Sequence, residues 1–198
     1  MILKPLKTAC VLFMSLTILT GLFYPLIITC FAQVLFPWHA NGSIVKKNNH
    51  AIGSFFIGQS FSSADYFWGR PSATIPFPYN GEFSSGSNSA SSNPDFLNTL
   101  SMRVLNITSV NPNQSKNRMI PVELVTASAS GLDPDISPAA AFYQVSRIAR
   151  IRHIPENLLK ILVRDHIEYR TFGLLGEPRL NVLQLNLSMD ERYGKPTP

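Results

Sequence analysis

The chain has 198 residues, of which 45% are hydrophobic and only 15% charged, against about 25% charged in an average soluble domain. Residues 8–45 contain no Lys, Arg, Asp or Glu, which excludes a purely soluble protein, a coiled coil or a disordered chain as the first interpretation. No second stretch of this kind occurs, which excludes a polytopic channel, and a net charge of +5 is too small to predict nucleic-acid binding.

The first predicted element is a membrane-spanning helix over residues 8–38 that acts as an uncleaved signal anchor. Residues 8–36 would span about 44 Å as a straight helix, against roughly 30 Å of hydrocarbon, so the helix tilts, kinks or projects beyond the lipid. Pro25 predicts a kink because it has no N–H to bond back to residue 21. A cleaved signal peptide is the alternative, but its apolar region usually has only about 7 to 15 residues.

The charges flanking this segment predict its orientation. Lys4 and Lys7 favour a cytoplasmic N-terminus, whereas Lys46 and Lys47 argue weakly for the opposite. We therefore predict a single-pass protein of three parts, listed in chain order: a short cytoplasmic tail (1–7), a transmembrane anchor (8–38) and an extracytoplasmic domain (39–198).

One face of the anchor is predicted to dock against another membrane helix. Thr17, Gly21 and Pro25 recur every four residues, and small residues allow helices to approach closely in lipid. Gln33, near the outer end, carries an amide that needs a hydrogen-bond partner. The hydroxyls of Thr17 and Thr20 could instead bond to carbonyls of their own helix.

The outer domain is predicted to be α+β, with a small sheet and two helices in its C-terminal half. The predicted elements are strands over 54–61, 119–125 and 180–190, and helices over 94–107, 138–152 and 155–167. Ser137 and Pro138 are a typical N-cap and first-turn proline for the helix over 138–152. The last strand is the clearest, because Leu183, Leu185 and Leu187 alternate with polar residues.

Two segments of the outer domain have two interpretations each. Residues 84–92 are mostly serine and form either a flexible linker or an ordered loop whose side chains bond to backbone groups. The basic residues Arg147, Arg150 and Arg152 form either a solvated helix face, which we favour, or a site for phosphate or an acidic partner.

The ionisable side chains do not combine into a recognisable catalytic set. Asp133 and Asp135 could ligate calcium, but a proline-fixed turn explains them better. His166 and Glu168 could form an acid–base couple, although an amphipathic helix is the simpler interpretation. For Glu177 and Arg179, which flank Pro178, local pairing or a turn is predicted. Two classes of function follow: an accessory subunit of a membrane complex, which we favour, and a signal-anchored periplasmic enzyme.

Several strings in the chain, in this order and spacing, carry a specific resemblance. They are LTGLFYPLIITCFAQVLFPWHANGS (19–43), IGQSF (57–61), YFWGRPSA (66–73), VELVTASASGLDPDISPAAAFYQVSRIAR (122–150) and LLGEPRLNVLQLNL (174–187). Together they strongly resemble the C subunit of the Kdp potassium-transporting ATPase, over about residues 10–190.

The resemblance implies a non-catalytic subunit of a bacterial inner-membrane complex for ATP-driven, high-affinity potassium uptake. Its implied partners are a channel-like subunit that carries potassium and a P-type ATPase subunit that hydrolyses ATP. The complex handles ATP and potassium, so no cofactor is expected in this chain, nor any nucleic acid. The family's C subunit is described as a catalytic chaperone that raises the ATP affinity of the ATPase subunit.

The resemblance also singles out residues, to which we assign docking and turn roles and no catalysis. In the anchor they are Gly21, Tyr24, Pro25, Thr29 and Gln33. In the outer domain they are Arg70, Asn88, Asn93, Asp133, Glu177, Arg179 and Asn181.

Overall fold

The computed structural model describes residues 3–112 and 119–195. The chain divides into two compact units, an N-terminal unit (Met1–Ser54) and a C-terminal unit (Phe55–Pro198). The first two residues of the predicted tail and the last three of the predicted outer domain lie outside the described residues.

The N-terminal unit is a long helical rod followed by a hairpin. Its elements are α1 (Leu3–Ile18), a π-helical turn (Leu19–Phe23), α2 (Tyr24–Leu35), α3 (Pro37–Ala40), β1 (Ile44–Lys47) and β2 (His50–Ser54). The continuous stretch Lys4–Leu35 is long and apolar enough to cross a membrane, and none of its most apolar window is buried within the chain. By length and composition it fits the predicted anchor.

The disturbance that Pro25 introduces takes the form of the π-helical turn. The N–H of Tyr24 donates to the carbonyl of Leu19, five residues back, instead of four. Pro25 follows within the same continuous helix, and it has no N–H to bond back to the preceding turn. A wider turn just before a proline is a common way to relieve the clash of its ring with the preceding turn.

The hairpin after α3 was not among the predicted strands. β1 and β2 pair antiparallel, and Asn48 and Asn49 connect them with positive φ angles of 50° and 64°, which asparagine tolerates better than most residues. The predicted strand over 54–61 is wrong, since the ladder ends at Ser54. Phe56 and Ile57 are exposed in the following turn, so no buried strand forms there.

The C-terminal unit is α+β, as predicted. Its elements are α4 (Pro94–Val110), a 3-10 turn (Val122–Leu124), β3 (Asp135–Ile136), α5 (Pro138–Arg152), α6 (Glu156–Asp165), β4 (Leu180–Asn181) and α7 (Val182–Tyr193). The sheet consists of β3 and β4, paired antiparallel. Helix α4 begins where predicted and runs one turn longer, with Ile107 as its buried residue.

Helix α5 is the centre of the core, and its predicted bounds are confirmed. The hydroxyl oxygen of Ser137 accepts from the N–H of Ala140 at 3.2 Å, and His153 ends the helix in the left-handed conformation with φ 55°. Most residues of α5 are buried, among them Val145, Ile148 and Ala149. Burial on most of its faces makes it the element around which the others pack.

Two further predictions about the C-terminal unit are wrong. Residues 182–193 form helix α7 and no strand, because Val182, Leu185 and Met189 recur at helical spacing and are buried together. Residues 122–124 form a 3-10 turn and no strand. In α6, Leu159, Leu162 and Val163 are buried, whereas Leu158 is 39% exposed.

The serine-rich segment is ordered where it meets the loop before β3. The N–H of Ser85 donates to the carbonyl of Ser130 at 3.0 Å, and the hydroxyl of Ser84 reaches the same oxygen. A Cβ at Gly86 would lie 2.9 Å from the carbonyl oxygen of Ala129, so only glycine allows this approach. At these positions the ordered-loop interpretation holds.

Candidate functional site

The first candidate surface is the face of the anchor that carries the residues predicted to dock. These are Thr17 in α1, Gly21 in the π-helical turn, and Tyr24, Pro25, Thr29 and Gln33 in α2. All of them are exposed. A Cβ at Gly21 would meet nothing within 4 Å, so this residue leaves open space against which another helix can pack.

The π-helical turn changes how these residues are arranged around the helix. In an α-helix of 3.6 residues per turn, four residues make slightly more than one turn, so residues spaced four apart drift steadily around the helix axis. Bonding to the fifth residue back takes more residues per turn, so the drift between Thr17, Gly21 and Pro25 is smaller across Leu19–Phe23. The π-helical turn therefore keeps the small residues closer to one face.

The amide of Gln33 finds its partner within the chain. Its side-chain oxygen accepts from Nδ2 of Asn41 at 3.0 Å, and its Nε2 lies 3.4 Å from the Asn41 side-chain oxygen. The same Nδ2 donates to the carbonyl of Pro37 at 2.7 Å. Gln33 thus fastens the end of α2 to the segment after α3. Thr20 bonds to the carbonyl of Leu16 at 2.7 Å, as the alternative proposed.

The second candidate surface is a cleft of about 300 Å³ in the C-terminal unit, which brings together four of the predicted residues. Those four are Arg70, Asp133, Glu177 and Arg179, joined there by Asp135 and Glu123. We call it the charged cleft.

Ion pairs hold the walls of the charged cleft together. Arg70 Nη1 lies 3.0 Å from Asp133 Oδ2. Arg179 Nε lies 3.1 Å from Asp135 Oδ2, and its Nη2 lies 3.0 Å from a carboxylate oxygen of Glu168. These pairs join residues that are not neighbours in sequence. The cleft therefore forms only when the C-terminal unit folds.

Glu177 and Arg179 do not pair with each other, and each has a different partner. Glu177 accepts from Arg170 Nη2 with both carboxylate oxygens, each at 2.7 Å. Both partners are largely exposed, so this pair adds little stability. Arg179 instead turns to Glu168, whose backbone also pairs with it in an antiparallel bridge.

Asp133 and Asp135 flank Pro134 and are joined by one side-chain contact, although Asp135 itself begins β3. Asp133 Oδ1 accepts from the N–H of Asp135 at 3.1 Å. Burial raises the pKa of Asp135 to about 6, and although Arg179 lowers it, nearby Asp133 and Glu168 raise it further. Among the described residues no group of three His, Cys, Asp or Glu side chains is placed to hold a metal ion.

Asn181 connects the charged cleft to the core. It is 3% exposed, pairs with Asp135 across the β3–β4 ladder, and its Oδ1 accepts from the N–H of Gln184 to cap α7. Its Nδ2 donates to the carbonyl of Phe55 at 2.7 Å. One side chain thus fixes a helix start, a strand and a loop.

The remaining two predicted residues lie apart from the charged cleft. Asn93 caps α4, where its Oδ1 accepts from the N–H groups of Asp95 at 2.9 Å and Phe96 at 3.4 Å. Asn88 is exposed and adopts the left-handed conformation with φ 49°. Both therefore have the turn and capping roles that asparagine typically fills.

The interpretation of Arg147 and Arg152 as a solvated face is wrong. Arg147 is 2% exposed and donates to the carbonyls of Ala64 and Tyr66, both at 3.0 Å, and to Gln144 Oε1 at 2.6 Å. Its guanidinium also lies 4.2 Å from the centre of the Trp68 ring, a cation–π contact. Burial lowers the pKa of Arg147 to about 10.

The side chain of Arg152 is only 3% exposed and forms an ion pair. Its Nη2 lies 2.7 Å from Asp190 Oδ1, and its Nε donates to the carbonyl of Asp65 at 2.8 Å. Tyr66 stacks under this guanidinium and donates to the same Asp190. No local sequence signal marks these two arginines as buried, because Gln144, Ser146 and Arg150 make α5 polar enough to suit a solvated face.

The acid–base couple of His166 and Glu168 does not form. The ring nitrogens of His166 lie 2.8 Å from the carbonyl of Leu162 and 2.8 Å from the hydroxyl of Ser188. Glu168 pairs with Arg179. His166 therefore joins α6 to α7.

Comparison with known proteins decides the family. The family model for KdpC, the c chain of the K⁺-transporting ATPase, matches residues 6–191. The chain belongs to the KdpC family. Its match covers the anchor and nearly all of the C-terminal unit, so both units are part of the family pattern.

Individual relatives agree with this family over almost their whole length. The chain is 50% identical to the potassium-transporting ATPase KdpC subunit of Methylibium petroleiphilum over 187 residues, covering 94% of this chain and 97% of the relative. It is 48% identical to that of Methylococcus capsulatus over 184 residues, covering 93% and 96%. The KdpC subunit of Ralstonia nicotianae is 48% identical over 186 residues, covering 94% and 90%.

Membership of the KdpC family makes this chain an accessory subunit of a potassium-transporting ATPase complex, not the catalytic one. The resemblance read from the sequence is confirmed, and potassium transport is the process in which the chain takes part. The signal-anchored enzyme is thereby set aside.

Proposed function

We propose that this KdpC-family chain stabilises its complex by docking the Gly21 face of its anchor onto the channel-like, potassium-binding subunit. The supporting observation is that Lys4–Leu35 is an apolar helix with none of its most apolar window buried in its own chain. In a bilayer such a helix has either lipid or another helix as its neighbour. Small residues on its surface favour contact with another helix.

In this proposal the chain crosses the bacterial inner membrane once, with its N-terminus in the cytoplasm and its bulk in the periplasm. Lys4 and Lys7 support that orientation. The C-terminal unit then lies over the outer mouth of the channel-like subunit. Potassium and ATP are handled by the channel-like and P-type ATPase subunits, and this chain needs no cofactor of its own.

The proposal extends to the role of catalytic chaperone. A periplasmic C-terminal unit does not touch nucleotide, which is cytosolic. Any rise in the ATP affinity of the ATPase subunit is therefore a coupling free energy that passes through the membrane-embedded subunits. The anchor is the part of this chain placed to transmit it.

The experiment that tests the docking is co-purification of the complex with Gly21→Leu in this chain. A leucine fills the open space at Gly21 and holds a neighbouring helix away, so we expect about tenfold less channel-like subunit to be recovered. Ser15→Leu adds the same apolar bulk on a different side of the rod, and Asp133→Ala breaks an ion pair in the charged cleft. Both controls should stay within about twofold of the unsubstituted chain.

Two results would contradict the docking proposal. One is equal recovery with Gly21→Leu and Ser15→Leu, which would mean that bulk anywhere on the rod has the same effect. The other is a larger loss with Asp133→Ala, which would place the contact in the C-terminal unit.

A further inference from the structure

A second cavity in the C-terminal unit differs from the charged cleft in both shape and charge. It has a volume of about 300 Å³ and lies between the loops around residues 60–72 and 78–79, helix α4 and the 3-10 turn. Its main walls are Phe61, Trp68, Arg70, Tyr79, Arg103 and Leu124. This volume is at the lower end of the roughly 300–1,000 Å³ typical of ligand pockets, so it suits a small molecule. We call it the arginine pocket.

The arginine pocket carries positive charge. Arg70 and Arg103 both line it, and no Asp or Glu does so among the residues that the structure describes. Arg70 is neutralised by Asp133, which faces the charged cleft. Arg103 donates to the carbonyl of Val125 at 3.0 Å, and in the described ranges 3–112 and 119–195 it forms no ion pair. The pocket therefore has one cation whose charge is not balanced.

That unbalanced cation is partly removed from water. Burial lowers the pKa of Arg103, which means that the fold disfavours its charged form. Within the described part of the chain, the buried Nε of Arg70 also has no hydrogen-bond acceptor. A buried donor without an acceptor is destabilising. A carboxylate in the pocket would give the Arg103 guanidinium a charged partner, and its two oxygens match the planar fork of arginine.

Part of the pocket wall is apolar ring surface, although Ser60, Ser62, Ser72 and Asn106 line the pocket as well. The aromatic residues present rings because they use their polar atoms elsewhere. The indole N–H of Trp68 donates to the carbonyl of Ser63 at 2.7 Å. The hydroxyl of Tyr79 donates to the carbonyl of Arg70. What these side chains offer the pocket is ring surface, which favours an apolar or aromatic body on the ligand.

The wall that carries Trp68 is held rigidly in place. The N–H of Trp68 donates to Gln144 Oε1 at 2.9 Å, and its carbonyl accepts from Gln144 Nε2 at 3.1 Å. The Trp68 ring also contacts the buried guanidinium of Arg147. Both partners belong to the central helix α5, so the pocket wall is preorganised before any ligand arrives.

We propose that the arginine pocket binds a small organic carboxylate with an apolar or aromatic body, its carboxylate held by Arg103 and its body packed against Trp68 and Leu124. This site goes beyond the docking proposed above and does not depend on it, because it lies wholly within the C-terminal unit.

The test uses the full chain in detergent with Trp38→Phe, which leaves Trp68 as the single tryptophan. Phenylacetate is titrated while the emission of Trp68 is recorded. We expect a saturable change with a dissociation constant near or below about 1 mM, in line with a ligand of about ten non-hydrogen atoms. Phenylacetamide has the same body without the charge, and acetate has the charge without the body, so both should bind at least about tenfold more weakly.

A matched pair of variants assigns the carboxylate contact. Arg103→Gln should weaken phenylacetate binding at least about tenfold, whereas Arg150→Gln, on the exposed side of α5, should leave it unchanged. Circular dichroism checks that each variant is folded. The proposal is overturned if no saturable change occurs, if phenylacetamide binds as tightly as phenylacetate, or if folded Arg103→Gln binds normally. If Arg103→Gln does not fold, the comparison of the two probes on the otherwise unsubstituted chain decides.

Discussion

Arg147 is the side chain whose removal should harm the C-terminal unit most. Its guanidinium satisfies two carbonyls of the loop around residues 64–66 and the amide oxygen of Gln144. Arg147→Met removes the donor from the carbonyls of Ala64 and Tyr66, while Gln144 Oε1 keeps only the N–H of Trp68. We therefore expect the free energy of unfolding to fall by about 3 kcal/mol. Denaturant unfolding of the full chain in detergent, followed by circular dichroism, measures this loss.

The matched control for that variant is Arg150→Met, one turn along the same helix. Arg150 is exposed, so its replacement should change the free energy of unfolding by no more than about 0.5 kcal/mol. Similar losses in the two variants would mean that the buried contacts of Arg147 contribute nothing of their own.

Asp135 should make stability depend on pH. Its pKa is about 6 in the folded chain and about 3.9 in an unfolded chain, so its stabilising contribution is complete below about pH 4. That contribution is lost as the pH rises through about 6. Because the side chain is 27% exposed, we expect a loss of about 1–2 kcal/mol between pH 5 and 8.

Asp135→Asn, which cannot titrate, should remove this part of the pH dependence. Thermal melting at pH 5 and pH 8 measures it. Glu177→Gln, on the same cleft but largely exposed, is the control and should keep the difference between the two pH values. A difference that persists in Asp135→Asn would assign the pH dependence to another group.

At the scale of elements, two asparagine caps should differ in what they contribute. Asn93 caps the exposed helix α4, and Asn93→Ala should cost about 1 kcal/mol. Asn181 caps α7 and also donates to the carbonyl of Phe55, so Asn181→Ala should cost about 2 kcal/mol or more. Denaturant unfolding compares them, and a smaller cost for Asn181→Ala would contradict the structural role given to it.

Elements with strong local signals could be predicted from the sequence. Ser137 and Pro138 define the start of α5, and its apolar spacing gives its length. The alternation of Leu183, Leu185 and Leu187 with polar residues predicts a strand, where the structure has helix α7. The helical set of Val182, Leu185 and Met189 is equally present, and packing against the core decided between the two periods.

The charged cleft and the arginine pocket could be predicted only in part. Family strings singled out Arg70 and Asp133, but their ion pair joins residues 63 positions apart, which no local pattern reveals. Arg103 was missed altogether, since an arginine on a half-exposed helix is ordinary in sequence. Arg103 stands out because no acidic side chain among the described residues forms an ion pair with it. Only the fold determines which side chains lie near it.

At the scale of the whole molecule, the orientation across the membrane can be tested directly. Ser87 is exposed in the serine-rich loop, and the C-terminal unit has no native cysteine. With Cys10 and Cys30 replaced by serine, Ser87→Cys should react with a membrane-impermeant maleimide in intact spheroplasts and stay unlabelled in sealed inverted vesicles. The reverse pattern would place the C-terminal unit in the cytoplasm and contradict the proposed topology.

The position of the two native cysteines has a consequence for how the chain matures. Both lie in the helical rod, and each is a free thiol. The C-terminal unit therefore reaches its final form without oxidative folding enzymes, whichever compartment receives it. Cells lacking thiol oxidases should accumulate it in normal amounts, in contrast to secreted domains that depend on cystine crosslinks.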